Sequence, residues 1–215
     1  MTRTQGIAEI VSRQRRFFGS GATLPCEVRL ERLRRLLDAI AKHEDVLHAA
    51  LAKDLCKPPF ESYLTETGFS RYDLRHTIKR LKKWMKPKRV RTPLLAQPGR
   101  SWILYCPLGV NLIVSPFNYP IQLAIVPLTA AIAAGNTAVV KTSELTPACS
   151  EATRQLIEEV FDPEYAACVT GGVEESTALL NQKFDHIFFT GSPRVGAIVM
   201  RAAAEHLTPV TLELG

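Results

Sequence analysis

Residues 107–142 read PLGVNLIVSPFNYPIQLAIVPLTAAIAAGNTAVVKT, and this stretch decides the fold. It contains one apolar, β-rich run at Val110–Ser115 and a second at Thr137–Lys141, with a helical pattern at Ile121–Ala134 between them. Two short apolar strands joined by a helix are typical of a crossover connection between parallel strands. The stretch therefore predicts one β-α-β unit of a parallel sheet.

The same alternation continues towards residue 214. Three further strands and three further helices are predicted, at Ala166–Thr170, His186–Thr190 and Val210–Leu214 and at Pro147–Phe161, Val173–Asn181 and Arg194–His206. Strands that are nearly continuous apolar runs, separated by helices, indicate a parallel sheet that is covered by helices on both faces. We therefore predict a doubly wound, mostly parallel α/β sheet, in which ligands bind beyond the carboxyl ends of the strands.

A helical region is predicted before this sheet. Apolar residues recur at steps of three and four from Leu30 to Leu51, with arginine and glutamate on the opposite side, and the two prolines after Lys57 end this helix. A second, basic helix is predicted over Phe60–Met85.

We divide the chain between these two patterns, into a helical region at residues 1–97 and an α/β domain at residues 98–215. Residues 98–106 have strand character and form an edge or hairpin element in this interpretation. The resulting fold is a helical region that packs on an α/β domain.

The formal net charge of +6 is concentrated in the N-terminal half, for example at residues 79–91. Such a surface could bind nucleic acid or an anionic membrane. However, the basic residues alternate with apolar residues at core spacing, and no aromatic stacking platform accompanies them. We interpret them as solvated helix faces and expect no nucleic-acid partner.

The five cysteines are scattered and form no Cys-x-x-Cys pair, so we expect no metal site and free thiols in a reducing compartment. Cys106 and Cys168 lie in or beside predicted strands and are expected in the core. The first 20 residues lack the apolar segment of a secretory signal. The most apolar stretch, residues 119–135, is too short for a membrane span. These features favour a cytoplasmic protein.

Polar residues follow the first two strands of the predicted sheet. Asn118 could donate to the oxyanion of a reacting carbonyl, or it could cap the following helix. Lys141 ends a buried strand and needs an anionic or carbonyl partner. Glu144 could accept hydrogen bonds from the hydroxyls of a ribose, although a local Lys141–Glu144 pair on the loop is the alternative.

Two later strands end in a similar way. Residues 190–196 read TGSPRVG, a strand-to-helix turn whose amides and helix dipole suit an anion such as pyrophosphate, although it lacks the Gly-x-Gly-x-x-Gly fingerprint. Glu213 leaves the last strand towards Gly215 and could act as a general base. The alternative for Glu213 is a helix cap or a surface carboxylate.

Taken in order, these motifs resemble the aldehyde dehydrogenase superfamily. The resemblance covers essentially the whole chain, matches an N-terminal portion of the family, and is greatest to its class 3 branch, which includes the fatty and aromatic aldehyde dehydrogenases. The motifs that carry it are Pro107–Val110, Pro116–Pro120, Ala133–Thr137, Lys141–Glu144, Phe189–Ser192, Val195–Gly196 and Leu212–Gly215. The likeness to the class 3 branch is carried by the helical start, the short N-terminal region and Phe184–Phe189.

The resemblance implies a role for each candidate residue. Asn118 matches the asparagine that stabilises the thiohemiacetal oxyanion, and Glu213 matches the carboxylate that activates the hydrolytic water or the thiol and that works when partly buried. Lys141 and Glu144 match the pair that holds the adenosine ribose of NAD or NADP. Four residues match the pyrophosphate turn of the family's atypical Rossmann arrangement: Gly191, Ser192, Val195 and Gly196.

Two residues depart from the family pattern. The proline that usually follows the lysine is Thr142 here, and the tryptophan that frequently precedes the asparagine is Phe117, which preserves an aromatic wall. Neither change excludes activity.

The implied reaction is the NAD(P)-dependent oxidation of a small-molecule aldehyde to a carboxylic acid, in a protein whose full-length relatives are expected to be homodimers. In the family, the nucleophilic cysteine lies in a separate catalytic domain after the glutamate, which residues 1–215 do not include. We therefore expect this chain to be inactive alone. The alternatives are a non-catalytic truncated relative that binds dinucleotide or pairs with a full-length subunit, and an acylating or phosphorylated-aldehyde dehydrogenase of the same superfamily.

Overall fold

The computed structural model describes residues 3–215 of the chain. The helices are α1 (Arg3–Gly19), α2 (Cys26–Lys42), α3 (Glu44–Leu55), α4 (Pro59–Ser62), α5 (Gly68–Trp84), α6 (Gln122–Ala134), α7 (Pro147–Val160), α8 (Val173–Leu180) and α9 (Pro193–Ala204). The strands are β1 (Lys88–Val90), β2 (Ser101–Ile103), β3 (Val110–Val114), β4 (Thr137–Lys141), β5 (Ala166–Val169), β6 (His186–Gly191) and β7 (Val210–Leu214). A π-helical turn at Tyr63–Thr67 joins α4 to α5, and a short 3₁₀ helix lies at Leu94–Ala96.

The main sheet has the strand order β5-β4-β3-β6-β7, and every neighbouring pair in it is parallel. Strands β4 and β5 are added in turn on one side of β3. The chain then crosses to the other side of β3, where β6 and β7 are added. The strand order therefore reverses between β3 and β6, where ligands bind in doubly wound sheets. This confirms the predicted fold class, and the bounds of the strands and helices in this domain differ from the predicted ones by at most two residues.

The sheet is stable because its central strands are apolar on both faces. Leu112, Val139 and Val140 are fully buried. One face is covered by α6 and α7, and the helix α6 is apolar on all sides because it lies between this face and the helical region. The central strands are mostly apolar because both of their faces are buried.

The helical region shares its core with the sheet. Leu33 and Leu81 of the helical region and Ile125 of α6 belong to one buried cluster. On the other face of the sheet, Ile7 of α1 packs with a second cluster, and Gln14 Nε2 donates to the main-chain oxygens of residues 138 and 163 at 2.8 and 3.0 Å. The division between residues 97 and 98 stays a prediction.

Two predicted helices are wrong in detail. The apolar stripe from Leu30 to Leu51 belongs to two helices, because His43 takes a non-helical conformation (φ −101°, ψ 14°) and α3 begins after it. The predicted helix Phe60–Met85 is divided by the π turn, in which the N–H of Gly68 donates to the carbonyl of Tyr63. Hydrophobic periodicity continues through both breaks and therefore does not reveal them.

Residues 98–106 contribute to a hairpin and not to the main sheet. Strand β2 pairs antiparallel with β1. Strand β1 was not predicted, because it is only three residues long and two of them are basic. The predicted burial of Cys106 is wrong, since β2 ends at Ile103 and Cys106 lies exposed beyond it, whereas Cys168 in β5 is partly buried. Over residues 3–215, no helix is both long and apolar enough to cross a membrane.

Candidate active site

A cleft of about 510 Å³ lies at the carboxyl ends of β3, β6 and β7. Residues 116–118 line it from the loop after β3, residues 190–193 from the turn after β6, and residues 213–215 from the end of β7. The structure thus brings four of the predicted site residues together: Asn118, Gly191, Ser192 and Glu213. The cleft lies at the reversal of strand order, where the fold leaves the strand ends open to ligands.

Asn118 does not cap the following helix. The N-cap position of α6 is Ile121, three residues later, and the side chain of Asn118 is exposed at the cleft. Its main-chain carbonyl accepts a hydrogen bond of 2.8 Å from Lys57 Nζ. The neighbouring Phe117 lines the same cleft with its ring half exposed, so an aromatic wall is present next to the amide.

Sequence reasoning missed two residues behind this loop, Lys57 and Glu66. They form a buried ion pair with Nζ and Oε1 2.6 Å apart. In the sequence, Lys57 stands before two prolines and Glu66 stands inside a predicted helix, and charged residues at such positions are usually solvated. Their burial is decided by the packing of the helical region against α6.

Lys141 ends β4 and Glu144 follows it in the next loop, and both lie outside the lining of the cleft. Lys141 is buried, and its Nζ donates to the carbonyls of Thr142 (2.6 Å) and Gly171 (2.7 Å) while lying 3.9 Å from Glu144 Oε2. Burial lowers the pKa of Lys141, and the carboxylates of Glu144 and Glu175 oppose this change. Because the Glu144 side chain is about half exposed, a held ammonium donor and an accessible carboxylate acceptor lie side by side.

This donor and acceptor set fits a ribose diol, whose hydroxyls both accept and donate hydrogen bonds. The local ion pair and a ribose site are compatible, since the side chain of Glu144 is about half exposed. The assignment to the cofactor stays a prediction.

The turn after β6 is compact. Ser192 is the N-cap of α9, and its Oγ accepts a long hydrogen bond of 3.4 Å from the N–H of Val195. Gly196 is buried, and a Cβ there would lie 2.8 Å from Leu214 Cδ2. At Gly191, an added Cβ would lie 2.6 Å from the Phe189 ring. Both glycines are therefore explained by close packing, and their predicted role in binding pyrophosphate stays a prediction.

Glu213 lies opposite Thr190 in the β6–β7 pair, which places it beside the turn at Gly191. Its side chain is exposed. The partial burial expected of a base in this family is therefore not supplied by residues 3–215, and the exposure agrees equally with a surface carboxylate. The role of Glu213 as a general base stays a prediction.

The cysteines do not lie in this cleft. Cys149 is buried and burial raises its pKa above the usual range, and burial raises the pKa of Cys168 to about 12, so neither thiol is activated as a nucleophile. The remaining thiols, Cys26, Cys56 and Cys106, also lie outside the cleft lining. Within the described part of the chain, no cluster of three or more histidine, cysteine or acidic side chains could hold a metal ion.

The model of the aldehyde dehydrogenase family matches residues 2–215. The chain belongs to the aldehyde dehydrogenase family. Among curated relatives, it is 46% identical over 199 residues to the 4,4'-diaponeurosporen-aldehyde dehydrogenase of Staphylococcus aureus, covering 93% of this chain and 43% of that protein. It is 44% identical over 208 residues to aldehyde dehydrogenase family 3 member H1 of Arabidopsis thaliana, covering 97% and 43%.

Solved structures of the aldehyde dehydrogenase family have the same fold. The substrate-bound state of Staphylococcus aureus AldH superposes with a TM-score of 0.96 at 44% identity, over 97% of this chain and 46% of that one. A betaine aldehyde dehydrogenase of the same organism, in complex with NAD+, superposes with a TM-score of 0.87 at 27% identity, over 99% and 43%. The family match and the solved structures confirm the predicted family, and the curated family 3 relatives confirm its class 3 branch.

The chain spans less than half the length of the curated relatives it matches. This coverage is consistent with the predicted resemblance to an N-terminal portion of the family.

Proposed function

We propose that the protein to which this chain belongs oxidises an aldehyde to a carboxylic acid with NAD or NADP. Residues 1–215 would supply the cofactor-binding face and two of the groups at the reacting centre. The observation that carries the proposal is the single cleft, at the reversal of strand order, that brings Asn118, the Gly191–Ser192 turn and Glu213 together.

When bound, NAD or NADP accepts a hydride from the substrate. The residues of this chain would bind this cofactor and orient it. Lys141 would donate to a ribose hydroxyl and Glu144 would accept from one, and the first turn of α9 would face the pyrophosphate. Glu144 favours a free 2′-hydroxyl over a 2′-phosphate, because a carboxylate repels a phosphate, although a carboxylate that rotates away admits both cofactors.

At the reacting centre, the amide N–H of Asn118 would donate to the carbonyl oxygen of the aldehyde. Its contribution grows as negative charge develops on that oxygen. The carboxylate of Glu213 would accept a proton from the attacking water. The nucleophilic thiol is not supplied by the cleft residues described above.

The 215-residue chain is therefore expected to bind dinucleotide without turning over aldehydes. Isothermal titration with NAD+ and NADP+ measures the binding, and the absorbance of the reduced cofactor in the presence of short and long aldehydes measures the turnover. Steady production of NAD(P)H by this chain alone would contradict the assignment of the nucleophile to other residues. If the protein from the complete reading frame also binds without turnover, it is a non-catalytic relative.

Replacing Lys141 with methionine is expected to raise the dissociation constant for NAD+ by about tenfold, the value of one hydrogen bond from a charged donor. Methionine keeps an unbranched side chain of nearly the same volume, one heavy atom shorter than lysine. Lys53→Met on the exposed face of α3 is the control and should leave the dissociation constant unchanged. Titration calorimetry measures the NAD+ affinity of the two variants. Equal NAD+ affinities of Lys141→Met and Lys53→Met would exclude Lys141 from the cofactor site.

We further propose a reducing location such as the cytoplasm, which the five free cysteines support. For the complete protein we propose a homodimer. The β1–β2 hairpin supports this proposal because it carries large exposed apolar side chains, including Leu95 and Trp102, which suit a subunit contact.

A further inference from the structure

The loop that carries Asn118 is held by an ion pair from the helical region. Lys57 lies between α3 and α4, and Glu66 lies in the π turn before α5. Lys57 Nζ donates to Glu66 Oε1 at 2.6 Å and to the carbonyl of Asn118 at 2.8 Å. The second carboxylate oxygen of Glu66 accepts from the N–H of Ile121 at 3.1 Å and of Gln122 at 2.8 Å.

Burying Lys57 and Glu66 costs desolvation free energy, so the contacts that offset this cost indicate what the pair does. Glu66 is fully buried and Lys57 is 8% exposed. Two charges out of water are tolerated only when their remaining donors and acceptors are satisfied. Here the remaining bonds all go to one segment, residues 118–122, and Lys57 Nζ also lies 4.0 Å from the centre of the Tyr119 ring.

Glu66 acts as the N-terminal cap of α6 from another element. The N-cap residue, Ile121, has no side-chain acceptor, so the first amides of the helix need a partner. A carboxylate at this position also interacts favourably with the helix dipole. Burial raises the pKa of Glu66, and the hydrogen bonds from Lys57 and the two amides oppose this change.

The π turn places Glu66 where it can reach these amides. The turn covers Tyr63–Thr67 and inserts an extra residue into an otherwise continuous helical segment. Such insertions lower the stability of a helix and are frequent at functional sites. Ser70 Oγ donates to the carbonyl of Glu66 at 2.7 Å, which fixes the main chain on the far side of the turn.

We infer that Lys57 and Glu66 are positioning residues for Asn118. Glu66 fixes the start of α6, Lys57 fixes the carbonyl of Asn118, and together they hold the Asn118 side-chain amide at the cleft. The inference rests on the proposed function to the extent that this amide faces the reacting carbonyl. The pair would therefore act on catalysis through Asn118, without contact with the substrate.

The first experiment measures positioning without catalysis. Amide hydrogen exchange is followed in the 215-residue chain for wild type, Lys57→Met and Glu66→Gln. Both variants are expected to speed exchange at Ile121 and Gln122 by about tenfold, because each weakens one or more hydrogen bonds to a charged group. Unchanged exchange at these two amides would overturn the inference.

The second experiment measures catalysis in the protein encoded by the complete reading frame. Both variants are expected to lower kcat by about 10- to 100-fold through misplacement of the oxyanion donor, and to leave the KM for NAD(P) within about threefold. The unchanged KM is expected because Lys141 and Glu144 lie at the end of a different strand, β4, and in the loop after it.

The control is a second ion pair of the helical region that does not contact residues 118–122. Arg71 Nη1 lies 2.9 Å from Glu44 Oε1, between α5 and α3. Arg71→Met is expected to change neither kcat nor exchange at Ile121 when the variants are compared at temperatures of equal unfolding free energy. If Arg71→Met lowers kcat as much as Lys57→Met does, the pair is only structural and the inference fails.

The two hypotheses fail in different ways. A wild-type protein from the complete reading frame that oxidises no aldehyde overturns the proposed function, and the exchange rates still decide whether Lys57 and Glu66 order the Asn118 loop. Faster exchange together with an unchanged kcat overturns the catalytic part of the inference alone.

Discussion

Asn118→Ala, made in the protein encoded by the complete reading frame, is expected to lower kcat by about 10²- to 10³-fold, the usual cost of removing one oxyanion donor. The hydrogen bond strengthens only as charge develops on the carbonyl oxygen, so kcat should fall more than the affinity for the aldehyde does. Steady-state kinetics at saturating NAD(P) measure both quantities.

Two features of the structure make Asn118→Ala a clean test. The side chain is exposed, and the contact with Lys57 uses the main-chain carbonyl, which alanine retains. The free energy of unfolding should therefore change by less than about 0.5 kcal/mol.

Asn118→Asp is the matched second variant for this position. It has nearly the same shape as asparagine but places a negative charge beside the oxyanion, so its kcat should fall at least as far as that of Asn118→Ala. An Asn118→Asp protein with wild-type kcat would show that the amide donates nothing to the reaction.

Gly109→Ala is expected to lower the free energy of unfolding of the 215-residue chain by about 2–4 kcal/mol. Gly109 has φ +140°, a conformation that L side chains rarely adopt, and an added Cβ would lie 2.6 Å from Asp185 Cγ. The carboxylate cannot move away without loss, because Asp185 Oδ2 accepts the first N–H of β3, from Val110, at 2.8 Å. The substitution therefore strains the entry to the central strand.

Urea unfolding followed by circular dichroism measures this change, with an unchanged dependence of the free energy on urea as the sign that the same structure unfolds. Gly19→Ala is the control. Gly19 ends α1, an added Cβ there meets no atom within 4 Å, and alanine should be neutral or slightly stabilising. A loss at Gly109 no larger than that at Gly19 would mean that the turn before β3 adjusts freely.

The strands and helices of the α/β domain could be predicted closely because their signals are local. Val110–Val114 and Thr137–Lys141 are mostly apolar and almost entirely buried, as expected for strands covered on both faces of a parallel sheet. The helical region was less predictable. A break such as His43, or a single π turn, changes the backbone without changing the apolar spacing that the sequence displays.

The candidate site divides in the same way. Asn118, Gly191 and Glu213 could be placed at or just after strand ends because the apolar pattern of the sequence shows where the strands end. The strand order then brings these residues into one cleft. Their exposure could not be predicted. Glu213 is exposed in the structure, and so is Cys106. The exposure of a side chain depends on which distant segments of the chain cover it, and the local sequence does not specify those segments.

The sequence by itself determined the parallel α/β sheet, the family and the residues that end its strands, since each is encoded by a local pattern or by an ordered set of short motifs. Only the tertiary structure decided that Lys57 and Glu66 lie behind the Asn118 loop. Glu66 and Gln122 are 56 positions apart, and their contact exists because α5 packs against α6. Nothing near either residue in the chain specifies that packing, which depends on the shape of the whole core.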